Sequence, residues 1–267
     1  MTALAAASAG VAPVTKSGAT LFARFAYPPN VLGFCGPPDH QSVLEHAATG
    51  VVDGELLQLA RQFAGAWPYL ELLAGAAGIA DPLDPAVVEA YWVGSALLDA
   101  VTRADLGGSL DDRFRRRLGR EWTPLAELVS AGARPHHNFH VFGVYPWVGL
   151  LRSGSVDEPL RVLDRCRIRW GRVVGSAASG RLLVRSRPLV WDGARLSLGV
   201  ASVEEATVST EGQALTPAAP GDWVALHWDW VCHRLSRRQL GALRRVTLDQ
   251  LAVVNGASHP GPAALLG

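Results

Sequence analysis

The amino-acid sequence predicts an α+β protein: a helical first part, then a small antiparallel β-barrel, then a C-terminal helix. Two periodicities carry this prediction. Between residues 41 and 129, apolar residues recur every three or four positions, as on the buried face of a helix. After residue 160, apolar and polar residues alternate between near-regular turn signals, as in the short strands of a closed barrel. The change of period near residue 155 marks the boundary between two predicted domains.

Composition narrows the class of protein. The chain has 267 residues, and its 25 Lys and Arg against 24 Asp and Glu give a net charge of +1, which argues against nucleic acid as the main partner. Three cysteines are too few for a disulfide scaffold and indicate a reducing compartment, so we expect a cytoplasmic protein. The most apolar run, residues 139–151, is shorter than the roughly 20 residues that span a bilayer. No membrane span is expected.

The first segment is expected to be irregular. Residues 1–19 begin Ala-rich and are interpreted as a loose tail. Pro28 and Pro29 should interrupt any continuous helix in the aromatic segment that follows. Cys35 lies between two glycines that allow close approach of another group, although a free cysteine in a turn is more often simply buried.

About four helices are expected after this segment, in a helical domain placed at residues 20–155. Asp84 and Pro85 form the clearest helix start, with the aspartate as N-cap and the proline at the first helical position. The charge run from Arg113 to Arg117 is more often a solvated helix face than a site for phosphate or an acidic partner.

The segment HHNFH, residues 136–140, is a weak candidate metal site. If Pro135 starts a helix, His136 and His140 lie on one face, four residues apart, where two imidazoles can share a metal ion. His137 is then about 100° around the helix. Cys35 is a further candidate ligand through the fold. The glutamate of a zinc-protease motif is missing between the histidines, so buried histidines bonded to backbone carbonyls are the favoured interpretation.

The strand region begins with RCRIRWGRVV, residues 165–174. Alternation places Cys166, Ile168 and Trp170 on one face and the arginines on the other. The Asp192-Gly193 pair predicts a hairpin. These strands define an OB-like antiparallel barrel, which together with the C-terminal helix occupies residues 160–256, and residues 257–267 are interpreted as a tail.

The stretch GDWVALHWDWVCHRL, residues 221–235, is predicted to be one strand that leads into a helix. Val224 and Leu226 point to the core, whereas His227 lies on the less apolar face. Asp229, two residues away, can fix the tautomer of this histidine. Ser236 is a good N-cap for the helix that follows, in which Leu240, Leu243, Val246 or Thr247, and Leu251 recur at helical spacing.

Two parts of this second half resemble the HypC/HupF family of hydrogenase maturation chaperones. The first part is a cysteine, four residues and then Gly-Arg-Val, here Cys166 and Gly171 to Val173. The second is a Gly-Asp-aromatic-Val strand that bears a histidine and leads into a helix, here Gly221 to Val224 with His227. The whole chain, especially FAYPPNVLGFCGP and HHNFHVFGVYPWVGLL, also resembles an uncharacterised family of high-GC bacteria encoded beside nickel-iron hydrogenase genes.

These resemblances imply a function in assembling a metal centre. In the chaperones the cysteine thiolate and the histidine hold an iron atom that carries cyanide and carbon monoxide. By resemblance, Cys166 and His227 would hold this fragment transiently, with Asp229 as an outer partner of the histidine. The expected partners are the hydrogenase large subunit and other maturation proteins. A soft thiolate suits such iron, and Arg165 and Arg167 are expected to lower the thiol pKa.

Two other functions stay open from the sequence. In the first, the protein is a non-catalytic structural or assembly partner of a hydrogenase subunit with no bound metal fragment; a sulfur buried in the core, or on the opposite side from the imidazole, would leave only this function. In the second, His136, His140 and Cys35 form the metal site of an enzyme. We disfavour the enzyme, because no paired carboxylate, nucleophile or phosphate loop accompanies the histidines.

Overall fold

The structure, a computed structural model, describes residues 17–118, 123–178, 180–210 and 212–257, without the side chains of 115–118 and 123–124. Most of the two predicted tails, residues 1–16 and 258–267, therefore lies outside the described residues. So do the side chains of the last three arginines in the 113–117 charge run. Arg113 itself donates from Nη2 to the Ala64 carbonyl oxygen at 3.1 Å, and its guanidinium lies 4.6 Å from the centre of the Tyr69 ring.

The first helix, α1, spans Gly18–Val31 and begins inside the predicted tail. It runs through Pro28 and Pro29, so the expectation of an irregular segment was wrong up to Val31, whereas residues 32–39 form turns and bends as expected. Each proline lacks the N–H that would bond to the carbonyl four residues earlier, which leaves the carbonyls of Arg24 and Phe25 without that partner. The Phe25 carbonyl oxygen instead accepts a hydrogen bond from the side chain of His227.

The remaining helices of the first half confirm its helical character. Asp84 accepts a 2.8 Å hydrogen bond from the backbone of Ala86, with Pro85 at the first helical position, as predicted. The helices are α2 His40–Thr49, α3 Gly54–Arg61, α4 Trp67–Ala77, α5 Pro85–Trp92, a 3₁₀ turn Ala96–Ala100, α6 Arg103–Leu118, α7 Thr123–Ser130, α8 His137–Phe139 continuing into a π-helical turn His140–Val144, α9 Trp147–Arg152 and α10 Asp157–Cys166.

The strands follow α10. They are β1 Arg169–Ser176, β2 Arg181–Ser186, β3 Leu189–Trp191, β4 Leu196–Leu198, β5 Ser202–Thr207, β6 Ser209–Thr210, β7 Gln213–Ala214, β8 Trp223–His227 and β9 Trp230–Arg234. Pairing runs in the order β1, β2, β5, β9 and β8, and β8 pairs back onto β1. The β5–β9 link is one parallel residue pair, Thr207 with Trp230, so the sheet is mixed rather than wholly antiparallel. β3 and β4 form the predicted hairpin outside this sheet.

Helix α10 occupies the place where the first strand was expected. Cys166 is its last residue, and β1 begins only at Arg169. The predicted arginine face is also wrong, because Arg167 and Arg169 are buried. Asp164 binds the Arg167 guanidinium at 2.8 Å, and Arg169 pairs with Glu204. Paired in this way, the two guanidinium groups can lie inside the fold.

The stretch 221–235 is a hairpin of β8 and β9, not one strand. Val224 and Leu226 pack against apolar residues of the other strands on one side of the five-stranded sheet, as predicted. Ala225 and His227 point to the opposite side, which is buried as well, because the helical half packs against it. The hairpin turns at Trp228, whose φ of 52° lies in the left-handed region.

The C-terminal helix, α11 Arg237–Gly256, matches the prediction closely. The Ser236 side chain accepts from the backbone of Gln239, whose side chain in turn accepts from the Ser236 backbone. Leu240, Leu243 and Leu251 are buried. One hydrophobic core joins these residues to α1 and to the helices of the first half. Within the described residues, no helix is both long and apolar enough to cross a bilayer.

Candidate functional site

Three metal-ligand side chains meet where the helical half packs on the sheet. They are His137 in α8, Cys166 at the end of α10 and His227 at the end of β8, and all three are buried. The Cys166 Sγ atom lies 3.9 Å from Nε2 of His137 and 3.9 Å from Nε2 of His227. We call these residues the buried cluster. One donor atom from each lies within 4.8 Å of the other two, so a single metal ion can reach all three.

A backbone hydrogen bond brings Cys166 and His227 together. The carbonyl of Arg165 is in the last turn of α10, where helix carbonyls lack partners within the helix. It accepts a 2.6 Å hydrogen bond from the backbone N–H of Trp228. Because Arg165 precedes Cys166 and Trp228 follows His227, this bond places the thiol beside the imidazole. The left-handed backbone of Trp228 is part of this arrangement.

The side chain of Asn138 places His137 beside the same thiol. Its Oδ1 accepts from the backbone N–H of Ile168 at 2.7 Å, and its Nδ2 donates to the Ile168 carbonyl at 3.2 Å. Helix α8 is thereby held against the chain that leaves α10. His137, one residue before the asparagine, then lies next to Cys166.

The tautomer of His227 is fixed by the first helix. Its Nδ1–H donates to the carbonyl oxygen of Phe25 at 2.6 Å. This carbonyl is available because Pro29, four residues further along α1, has no N–H to offer it. A neutral imidazole with its proton on Nδ1 presents the lone pair of Nε2, which here faces the Cys166 sulfur. His227 is therefore prepared to act as a metal ligand.

His137 has the opposite arrangement. Its Nε2 lies 2.9 Å from the carbonyl oxygen of Cys166, an acceptor, so Nε2 carries the proton. Its Nδ1 lies 3.2 Å from the hydroxyl of Tyr91 and accepts from it. To bind a metal through Nε2, His137 must move its proton to Nδ1.

Burial sets the charge of the cluster. It lowers the pKa of His137 to about 4 and the pKa of His227 well below its ordinary value, so both imidazoles are neutral at neutral pH. Neutral imidazole is the form that binds metals. The two histidines therefore need no deprotonation before they accept a cation.

Burial also raises the pKa of the Cys166 thiol, and the expectation that neighbouring arginines lower it was wrong. Both guanidinium groups are engaged with carboxylates. Arg165 binds Glu204 at 2.6 Å, and Arg167 binds Asp164 at 2.8 Å. The thiol is thus protonated at neutral pH, and a metal ion would have to displace its proton.

The buried cluster lines a cavity of about 80 Å³. One water needs roughly 10–15 Å³, so there is room for several small ligands. Aromatic side chains form much of the wall: Phe34, Phe63, Tyr91, Trp92, Tyr145, Trp147 and Trp228. Phe34 stacks on Trp228 with ring centres 4.4 Å apart and is 46% exposed, so this pair forms the outer cover of the cavity.

Two residues of the weaker sequence prediction, His140 and Cys35, line the same cavity. Nδ1 of His140 lies 3.3 Å from the Tyr69 hydroxyl, whereas its Nε2 is buried without a hydrogen-bond partner among the described residues. Burial raises the pKa of Cys35 to about 12. His140 and Cys35, which the sequence left unconnected to Cys166 and His227, thus share one cavity with them.

His136, by contrast, is separate from the cavity. It is the N-cap of α8, and its Nδ1 accepts a 2.9 Å hydrogen bond from the backbone of Asn138. The prediction that it shares a helix face with His140 was wrong, because the helix begins after it and turns π-helical at His140. Burial lowers the pKa of His136 to about 3.

Asp229 does not hold the imidazole of His227, as the sequence suggested. Its exposed carboxylate accepts a 2.7 Å hydrogen bond from Arg165. The Phe25 carbonyl, rather than Asp229, fixes the tautomer of His227. Sequence reasoning also missed His137, for which the one available signal was its position within the histidine-rich segment.

Together, the mixed fold and the buried cysteine and histidines define the class: a protein with a candidate metal-binding site between a helical half and a small sheet. A family model matches residues 14–260, and the chain belongs to that family, DUF6390, a family of unknown function. Neither the curated proteins nor the solved structures contain a significant match.

Proposed function

We propose that this protein is an accessory protein of nickel-iron hydrogenase maturation that binds an iron-cyanide-carbonyl fragment through Cys166 and His227. The observation that carries the proposal is the 3.9 Å distance from Sγ of Cys166 to Nε2 of His227 beside a cavity. These are the two residues that the HypC/HupF resemblance assigns as iron ligands. They are distant in sequence, and the resemblance required them to be close in space.

The surrounding geometry supports the same proposal. In the HypC-like interpretation, the five-stranded sheet, in which β8 pairs back onto β1, corresponds to the OB-like barrel of the chaperones. β1 and β8 are then its first and closing strands. Gly171, part of the resemblance, pairs with Val224, and a Cβ atom at Gly171 would lie 2.3 Å from a Val184 methyl carbon. A glycine is therefore needed where the two matching motifs meet.

The donor set fits the cargo. A thiolate and an imidazole suit iron that carries cyanide and carbon monoxide. The largely aromatic cavity offers space for small diatomic ligands next to the two donors. The partners we propose are the hydrogenase large subunit and other maturation proteins, in the cytoplasm, and we propose no catalytic step.

A second candidate function is favoured by the burial of the sulfur. Cys166 is 7% exposed and His227 fully buried, which suits a structural or assembly partner of a hydrogenase subunit that carries no iron. The sulfur nevertheless lines the cavity and lies on the same side as the His227 imidazole, 3.9 Å from its Nε2, so the burial of Cys166 does not separate the two expected ligands.

Infrared spectroscopy distinguishes the two. The protein is purified anaerobically from cells that produce a nickel-iron hydrogenase, and its iron content and co-purifying proteins are measured. The first function predicts cyanide and carbon monoxide bands that disappear in Cys166→Ser and weaken in His227→Gln. The control is Cys232→Ala, because Cys232 is also buried and free but its sulfur contacts the Trp230 carbonyl.

Three outcomes are decisive. Bands that persist in Cys166→Ser contradict the assigned ligand. A wild-type protein that co-purifies with a hydrogenase component but lacks iron and bands supports the structural partner. Absence of iron, bands and hydrogenase components contradicts both functions.

A further inference from the structure

We infer that His137 is a third protein ligand, so that Cys166, His137 and His227 form one metal centre whose fourth position faces the N–H of His140. This inference deepens the proposed iron site and rests on it for the nature of the cargo. The metal centre itself can be tested with a simple divalent ion.

The distances in the buried cluster are close to those of a three-ligand centre. Metal–sulfur and metal–nitrogen bonds of about 2.3 and 2.1 Å at a tetrahedral angle place sulfur and nitrogen about 3.6 Å apart. The two observed distances from Sγ of Cys166 are both 3.9 Å. A contraction of a few tenths of an ångström would suffice, together with a rotation of His137 that turns its Nε2 from the Cys166 carbonyl oxygen toward the shared metal position.

Tyr91 allows the proton of His137 to move from Nε2 to Nδ1. In the present arrangement the tyrosine O–H donates to Nδ1 of His137. The same hydroxyl lies 3.3 Å from the carbonyl oxygen of Gly65. When Nε2 binds a metal, Nδ1 takes the proton and donates to the Tyr91 oxygen, whose O–H turns to Gly65. The thiol and Nε2 of His137 each give up one proton. Nδ1 of His137 takes up one of these two protons, and the other is released to solvent.

His140 supplies a donor at the open position. Among the described residues near the Tyr69 hydroxyl, Arg113 is a donor only, so the O–H has Nδ1 of His140 as its acceptor. The proton of this neutral imidazole is then on Nε2. His140 lines the cavity and is only 4% exposed, and its Nε2 has no partner among the described residues.

An unpaired buried N–H is uncommon and indicates a ligand that accepts a hydrogen bond. Gly65 keeps the space beside it free, since a Cβ atom there would lie 3.0 Å from Nε2 of His140. The chemical class of ligand is therefore a small metal-bound group with a lone pair at its far end. Cyanide fits this description through its nitrogen atom.

Cobalt(II) alone tests the third ligand. Metal-free protein should bind one Co²⁺, with a thiolate-to-cobalt charge-transfer band and the visible bands of a tetrahedral centre. His137→Ala should weaken binding by about 100-fold or more, because losing even an outer partner of a ligand costs about 10–100-fold. The control is His40→Ala, an exposed histidine that does not line the cavity. His137→Gln is the second variant if the alanine variant fails to fold by circular dichroism.

Two results would overturn the third ligand: wild-type protein that shows no thiolate–cobalt band, or a folded His137 variant with unchanged affinity and spectrum. Failure of the proposed function alone would give a different result: cobalt would bind as expected, but the infrared bands of cyanide and carbon monoxide would be missing.

Azide, a small anion, tests the open position on the cobalt-loaded protein. It should shift the visible bands of the wild type and bind about tenfold more weakly to His140→Leu, which corresponds to one lost hydrogen bond. His140→Gln retains an N–H donor and should restore part of the affinity, with cobalt affinity unchanged in both variants. Azide that does not bind the wild type, or binds His140→Leu equally well, contradicts the open position or its donor.

Discussion

Two groups of potential metal ligands occur in the described residues. In both groups the ligand atoms lie close together, but the groups differ in burial and in the hydrogen bonds that these atoms already make. One is the buried cluster. The other, which we call the surface group, comprises His46, Asp53 and Glu55. Nε2 of His46 lies 3.8 Å from the Asp53 carboxylate and 3.6 Å from that of Glu55. By distance alone, both groups qualify.

The difference is in what the donor atoms already do. Asp53 is the N-cap of α3, and one oxygen accepts from the backbone of both Glu55 and Leu56. The two carboxylate side chains are 47% and 59% exposed, so water competes for them. In the buried cluster, the Nε2 lone pair of His227 faces the Cys166 sulfur, 3.9 Å away beside a cavity. Proximity therefore identifies candidates, and lone pairs that face a buried cavity separate a site from a helix cap.

The largest expected effect of burying these histidines is a loss of stability in acid. His136, His137, His140 and His227 are buried, and burial lowers the pKa of each. Below about pH 6.5 the unfolded chain binds protons that the folded chain does not, so stability falls as the pH falls. Each histidine that stays neutral in the folded chain lowers the free energy of unfolding by about 2 kcal/mol at pH 5. Four such losses are comparable to the whole free energy of unfolding of a typical protein, about 5–15 kcal/mol.

Urea unfolding at pH 8, 6 and 5 measures this loss. His140→Gln should reduce the dependence on pH by about one proton, because it removes one buried histidine whose pKa burial lowers. A free energy of unfolding that is flat from pH 8 to pH 5 would contradict the prediction.

Metal affinity should depend on pH at the buried cluster. Binding releases one proton, because burial raises the pKa of the Cys166 thiol and keeps it protonated. Cobalt affinity should therefore increase about tenfold per pH unit, or about 100-fold from pH 6 to pH 8. A competition titration against a chelator of known pH behaviour measures the slope. A slope of zero would mean that the thiol is not the ligand.

Removal of the Tyr91 hydroxyl should have a smaller effect. Tyr91→Phe keeps the ring but removes the partner of Nδ1 in His137, at 3.2 Å. Loss of such an outer partner should weaken cobalt binding by about tenfold, at the low end of the usual range. Tyr145→Phe is the matched control, since Tyr145 also lines the cavity. Equal effects of the two substitutions would mean that the hydroxyl of Tyr91 does not act through His137.

The surface group should give the smallest effects. Asp53→Asn retains a good N-cap, and neither it nor Glu55→Gln should change the amount of cobalt bound. Asp53→Ala should lower the free energy of unfolding by about 1 kcal/mol through loss of the cap. Thermal unfolding and metal analysis of the same samples test both statements. Loss of bound metal in Asp53→Asn would reverse the comparison.

Local rules explain which elements were predictable from the sequence. Ser236 and Asp84 cap helices through bonds to residues two or three positions away, so nearby sequence contains the whole signal. The face of Val224 and Leu226 followed from alternation alone. The resemblance brought Cys166 and His227 together, which periodicity could not do.

Long-range contacts explain what was missed. Pro28 and Pro29 looked like helix breakers, but a carbonyl that they release serves His227 far along the chain. His137 reaches Cys166 because Asn138 bonds to the backbone of Ile168. No spacing rule within a helix or strand encodes such bonds, and the donor set could be completed only from coordinates.

The hydrogen bond from His227 to Phe25 has a consequence for synthesis. It joins residues 202 positions apart, so the site cannot close until nearly the whole chain has left the ribosome. A nascent chain that already carries Cys35, His137 and Cys166 still lacks the last imidazole. Metal loading should therefore follow translation rather than accompany it, and chains truncated before residue 227 should fail to retain the ion.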